Sequence, residues 1–202
     1  MSVAIYIYHD IGSRGHRPCS PERFSEDLEN IRRAGLDILS FQTLLTHGVP
    51  DHEAVILTLD DGLSSHFEVA APILDAFRMP AVFCVSTAPP PTASGPYMTP
   101  EQVRQLGERY EIAGHGHRHT PAATAKLSKE DVLADMTAMR ETFARWGVHP
   151  IDVFVPPQGQ NTQAVSEAAQ LMGFKAIRTT QHGRVDAGTD FMNLPGIEGI
   201  PR

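Results

Sequence analysis

Cysteine is scarce in this chain. Cys19 and Cys84 are all that 202 residues contain, too far apart for a thiolate metal knuckle or a Cys-x-x-Cys redox pair. Nothing therefore calls for an oxidising compartment. Cys84 lies inside the apolar run Ala81-Val82-Phe83-Cys84-Val85 and reads as a small core residue, while Cys19 precedes a helix start. Positive charge is short as well. Lys and Arg number 17 against 24 Asp and Glu, and a net charge of −7 excludes a general nucleic-acid binder, which needs a basic footprint. No apolar run approaches the ~20 residues of a membrane helix, so no integral membrane segment is expected. The opening Met1-Ser2-Val3-Ala4-Ile5-Tyr6-Ile7-Tyr8 has neither a basic n-region nor a cleavage site, and reads as a first strand. The expectation is a cytoplasmic protein, exported only if a signal has been trimmed from this sequence.

What is present suits one globular domain over residues 1–202, with hydrophobic and charged fractions of 41% and 20%. Strand-like runs occur near residues 3–8, 36–39, 54–59, 81–85, 110–113, 151–155 and 174–178, with helical patterns between most of them. Ser20-Pro21-Glu22, Thr99-Pro100-Glu101 and Ser128-Lys129-Glu130 are helix starts. Phe24, Leu28 and Ile31 form one apolar stripe, and Val132, Met136, Met139 and Phe143 another. Asn161 is the expected cap of a helix ending near Gly173. Alternating strands and helices imply a mainly parallel sheet covered by helices, open or closed into a barrel. The Pro-rich stretch Ala88–Gly95 reads as a loop, either plain surface or the wall of a substrate groove.

Two motifs carry the chemistry. Leu57-Thr58-Leu59-Asp60-Asp61-Gly62 closes one buried run, and His115-Gly116-His117-Arg118-His119 closes another. Alone, each has a bland reading, since Asp-Asp-Gly favours turns and three histidines suit a solvated loop. Together at strand ends they point to a metal site. Burying adjacent carboxylates is costly unless a cation or proton compensates them, and imidazoles are what a divalent ion needs beside a carboxylate. A mixed His/Asp site with open positions suits Lewis-acid hydrolysis. A fully extended 115–119 would aim all three imidazoles one way; a bend after His115 would leave His115 and His119 to converge alone.

These motifs resemble the polysaccharide deacetylase family, carbohydrate esterase family 4. Thr58-Leu59-Asp60-Asp61-Gly62 is similar to its Thr-Phe-Asp-Asp-Gly string, and His115-Gly116-His117-Arg118-His119 to its His-(Ser/Thr)-x-x-His; Ala71-Pro72-Ile73-Leu74 and Met79-Pro80-Ala81-Val82-Phe83 fit the flanking text. The resemblance implies a distorted (β/α)7-type barrel, with Asp61, His115 and His119 holding a divalent metal, zinc first and Fe, Co or Ni next. It also implies Asp60 as general base and His117 as a groove-lining residue. The third family motif is altered: Phe154-Val155-Pro156-Pro157-Gln158-Gly159 has Val where an Arg orients the base, and Gln158 where a Tyr supplies an oxyanion contact through its backbone N–H. Arg118 and Arg178 are the candidate replacements for that Arg; Pro156 and Pro157 would line the substrate. A C-terminal Leu-x-His is absent, while Ile7-Tyr8-His9-Asp10 stands at the front. This resembles the circularly permuted branch typified by deacetylases of poly-β-1,6-N-acetylglucosamine, and makes His9 the expected general acid, with His182 the late contender.

The implied activity is metal-assisted removal of an N-acetyl or other small N-acyl group from an amino sugar, in a surface polysaccharide or its precursor. The implied partner is thus an amino-sugar glycan or glycolipid. Two alternatives stand beside it: an N-deacylase or deformylase of a lipid-linked or terminal O-antigen sugar, and a catalytically weakened carbohydrate-binding relative.

Overall fold

The computed structural model describes residues 1–12, 17–90 and 96–199. The latter part of the Pro-rich loop, residues 91–95, lies outside them. Among the described residues eight strands form one sheet: β1 (Val3–Tyr8), β2 (Asp37–Ile38), β3 (Ala54–Leu59), β4 (Val82–Val85), β5 (Glu111–Gly114), β6 (Val153–Phe154), β7 (Ala176–Ile177) and β8 (Ile197–Glu198). The order is β7-β6-β5-β4-β3-β1-β8, every ladder parallel. β2 and β4 share one edge of β3, pairing with its first and last residues respectively. Among the described residues six α-helices, α1 (Pro21–Arg33), α2 (Phe41–His47), α3 (Ala71–Phe77), α4 (Pro100–Gly107), α5 (Lys129–Trp146) and α6 (Gln163–Leu171), lie between them.

The sheet curls into the distorted barrel that the sequence implies. All six residues of β1 are buried, and so are all six of β3. That is how a strand covered on both faces reads. Side chains alternate between two cores. Val3, Ile5, Ala54, Ile56, Val82, Cys84 and Val155 fill the interior, with Phe41 and Leu44 of α2 among them. Ala4, Tyr6, Tyr8, Val55 and Leu57 face outward onto Phe24, Leu28, Met136 and Phe143. The carboxylate of Glu111, first residue of β5, accepts from the N–H groups of Phe41 and Gln42 at 2.8 and 2.9 Å, which seats α2 under the amino ends of the strands.

Sequence reading missed α2 and β8. β8 lies between Pro195-Gly196 and Gly199 with no apolar run to mark it, yet this segment links the sheet's two ends. Leu194 bridges to Arg178 just past β7, and Ile197 and Glu198 pair with Tyr6 and Ile7 of β1. The three expected helix starts hold, with Ser20, Thr99 and Ser128 as N-caps. The fourth is corrected. Thr162, not Asn161, caps α6, its hydroxyl accepting from Val165 N–H at 3.3 Å. The Asn161 amide is instead spent on the Met192 carbonyl at 2.9 Å, tying the loop to the segment before β8.

Candidate metal centre

β3 ends at Leu59, and the chain then turns through two consecutive left-handed residues, Asp61 (φ 81°) and Gly62 (φ 80°). Glycine is required second, because a Cβ there would press on Val85 Cγ1 at 3.2 Å. For Asp61 the same φ stores about 1–3 kcal/mol of strain, the kind of cost found where a side chain must be aimed. β5 ends at Gly114, and its continuation bends at Gly116 (φ 78°), where a Cβ would meet Asp135 Oδ2 at 3.1 Å and Pro157 Cγ at 3.5 Å. His119 is left-handed too, at φ 53°.

The bend decides between the two geometries left open by the sequence. His115 Nε2 and His119 Nε2 lie 3.2 Å apart, and stand 3.2 and 3.1 Å from Asp61 Oδ1. His117 is not in this cluster. Its Nδ1 meets Thr87 Oγ1 at 2.8 Å, and its backbone N–H donates to Asp135 at 2.6 Å, so it flanks the centre.

The donor set fits a divalent cation. His115 Nδ1 donates to the Val155 carbonyl at 2.7 Å, which turns its Nε2 to face the carboxylate and the second imidazole, where a cation can take the place of a proton. Three converging donor atoms repel unless a positive charge lies between them. Burial alone would raise the Asp61 carboxyl, but hydrogen bonds from His115 and His119 hold it far below the usual carboxylate range. Burial opposes a charge on His115, and the Asp61 hydrogen bond with the Asp60 charge raises it nonetheless.

Asp60 points into the barrel, where both its oxygens accept from Nη2 of Arg178. Arg178 is 0% exposed. Burial would raise the Asp60 carboxyl; the charges of Arg178, His115 and His9 outweigh it and keep the group ionised. Of the two candidate arginines, then, Arg178 reaches Asp60. Arg118 does not: its side chain is exposed and 3.8 Å from Asp135. The signal for Arg178 was its place at the end of a strand run.

The altered third motif lies against the histidines. Val155 supplies the carbonyl that orients His115, and Pro156 and Pro157 are buried, shaping the site from behind. Gln158 is exposed and left-handed (φ 56°), its side chain accepting from Gln160 Nε2 at 3.2 Å. His9 follows β1, with Nδ1 3.7 Å from Glu198 Oε2 of β8, and its charge bears on both Asp60 and Asp61. Glu198 also pairs with Arg17. A cleft of about 280 Å³ opens beside His9, lined by Tyr8, Arg17, Cys19, Arg23, Asp27 and Glu198 among others. His182 is exposed. Sequence reasoning missed Glu198, because β8 itself was not visible.

A parallel αβ barrel with an Asp/His/His cluster and an ionised carboxylate at its carboxyl end defines a class of hydrolase-like folds. Within that class the assignment is specific. A family model described as polysaccharide deacetylase matches residues 47–177, and the chain belongs to that family. The match includes Asp60, Asp61, His115 and His119, and stops short of His9 and Arg178. Solved structures extend the likeness over the whole chain. The Streptococcus pyogenes deacetylase PplD in complex with acetate superposes with a TM-score of 0.85 at 20% identity, over 100% of this chain and 93% of its own. IcaB from Ammonifex degensii gives 0.87 at 18% identity, covering 99% and 92%. YxkH of Bacillus subtilis (strain 168) is 20% identical over 98% of this chain and 73% of its own length.

Proposed function

We propose that this chain hydrolyses the N-acetyl group, or another small N-acyl group, of an amino sugar in a surface polysaccharide or its precursor, with a divalent cation, zinc foremost, at Asp61, His115 and His119. One observation carries the reading: a three-donor cluster stands beside a buried carboxylate kept ionised by a fully buried arginine. A bound cation would polarise the acyl carbonyl and acidify water. Asp60 is the general base. It must be ionised at neutral pH to take a proton from the attacking water, and Arg178 gives it that state and a fixed orientation. The Gln158 N–H is the proposed donor to the developing oxyanion. His9 is the proposed acid, giving its proton to the departing amine, with Glu198 placed to stabilise the imidazolium. Products are a carboxylic acid and a free amino sugar.

Arg178 favours this reading over a weakened binding relative, since the base keeps the cationic partner that the third motif lacks. The test is acetate release from N-acetylated glucosamine oligosaccharides by the metal-loaded protein, beside Asp60→Asn. Wild type should release acetate, and Asp60→Asn should keep its metal and lose about 10²–10⁴-fold in turnover. Equal turnover by the two proteins would move the base elsewhere, to Asp10 first. No release from any N-acyl amino sugar, with metal bound, would sink the reading.

A further inference from the structure

The turn after Asp60-Asp61-Gly62 buries an imidazole to which the reaction above gives no role. His66 is 0% exposed and packs on Phe83, ring centroids 5.9 Å apart. It opens a single π-helical turn, His66–Ala70, running straight into α3. Such one-turn widenings recur at functional sites because they re-aim side chains without ending the helix. Here the ring points back to the strand beside β3: its Nε2 meets the His9 carbonyl at 2.8 Å. A carbonyl only accepts, so Nε2 carries the hydrogen and Nδ1 a lone pair. That Nδ1 is buried and has no partner among the described residues. Burial holds the ring neutral, its pKa lowered to about 4.

The residue before it grips the same segment. Ser65 Oγ donates to Asp10 Oδ1 at 2.8 Å and accepts from Ile11 N–H at 3.3 Å. Two consecutive residues of the turn thus bond three consecutive residues following β1. The last rung joining β1 to the Asp60 segment is Asp60 N–H to the Tyr8 carbonyl, at 2.8 Å. Beyond it the two chains diverge, and Ser65 and His66 join them again. A leucine could fill the space against Phe83 without stranding a lone pair, so packing alone does not account for an imidazole here. The bond to His9 does.

We infer that Ser65 and His66 are positioning residues, a two-residue clamp that fixes the backbone of His9 relative to Asp60 and Asp61 and thereby aims the His9 imidazole at the leaving amine. The inference rests on His9 being the general acid. The metal-loaded protein and its variants His66→Leu, His66→Gln, Ser65→Ala and His9→Ala are to be compared on an N-acetyl amino-sugar oligosaccharide and on an activated chromogenic acetyl ester. An ester of a good leaving group scarcely needs the acid; the amide does. His66→Leu should lower kcat on the amide about 10–100-fold, with KM, metal content and ester turnover within about threefold of wild type. His66→Gln, whose amide can still donate to the carbonyl, should recover most of the loss; Ser65→Ala should lose less than His66→Leu. Equal losses on both substrates, or loss of metal, would make His66 a structural residue and overturn the clamp. So would unchanged amide turnover in His66→Leu while His9→Ala shows the amide-selective loss. If His9→Ala shows no such selectivity, it is the acid assignment that fails. Should His66→Leu not fold, the His66→Gln and Ser65→Ala pair carries the same comparison.

Discussion

At the scale of single residues, the site rests on Asp61, His115 and His119, of which His115 is buried and the other two are half-buried. Asp61 has φ 81°, and His115 is oriented from behind by Val155; both are built to aim a donor atom. His115→Ala and His119→Ala should therefore each lower metal stoichiometry as well as activity, because affinity follows ligand count and geometry. Full metal content in both purified variants, by elemental analysis, would contradict the ligand assignment. Arg178 is the other residue on which the site depends. Arg178→Met leaves Asp60 buried without its cation, and should cost about 3–5 kcal/mol of stability together with most turnover. Arg178→Lys keeps the charge and should lose less of both. Denaturant titration and turnover assays on the two variants check this; a Met variant as stable and active as wild type would show that Asp60 does not depend on Arg178.

Among the elements, the shortest ones determine the most. β8 brings Glu198 to His9, α2 plugs the barrel's lower end, and the π-helical turn carries His66. His66 also predicts a pH response with a definite sign. Its pKa falls from 6.5 in the unfolded chain to about 4 in the fold, so between those values the unfolded state binds the extra proton. Stability is then full above pH 6.5 and is lost as pH falls toward 4. A shift of that size corresponds to about 3 kcal/mol. The difference in unfolding free energy between wild type and His66→Leu, measured from pH 7 to pH 4, should move by about that amount against wild type. A difference that stays flat across the window would show that His66 is not held neutral.

For the whole molecule, the two apolar cores are complete without the ion. The interior core runs from Val3 to Leu194, and the outer one joins the sheet to the helices. Chelation should thus abolish turnover while leaving a folded protein. Metal binding to the native state alone adds stability of RT ln(1 + [L]/Kd), about 4 kcal/mol at a thousandfold excess over Kd. A Tm that rises with added Zn²⁺ and returns after chelation, with secondary structure unchanged by circular dichroism, is the expected result. Collapse of the fold on chelation would make the centre structural. No helix among the described residues is long and apolar enough to cross a membrane.

The sequence by itself determined the parallel αβ plan, the seven longer runs, the helix caps at Ser20, Thr99 and Ser128, and the pairing of Asp60-Asp61 with the histidines of residues 115–119. Those are local matters: periodicity, cap chemistry, and charge placed at the end of an apolar run. Tertiary structure alone decided the rest. The bend at Gly116, set by Asp135 and Pro157, excludes His117 from the cluster. Arg178 rather than Arg118 reaches Asp60, because only the end of β7 opens into the barrel beside it. Glu198, Ser65 and His66 surround His9 through contacts made 189, 54 and 57 residues away or across the strand order, as with the Ile11–Ser65 and His9–His66 bonds. Such pairings have no period and no neighbouring signature, so no reading along the chain contains them. They exist only once the sheet has curled and brought its two ends together.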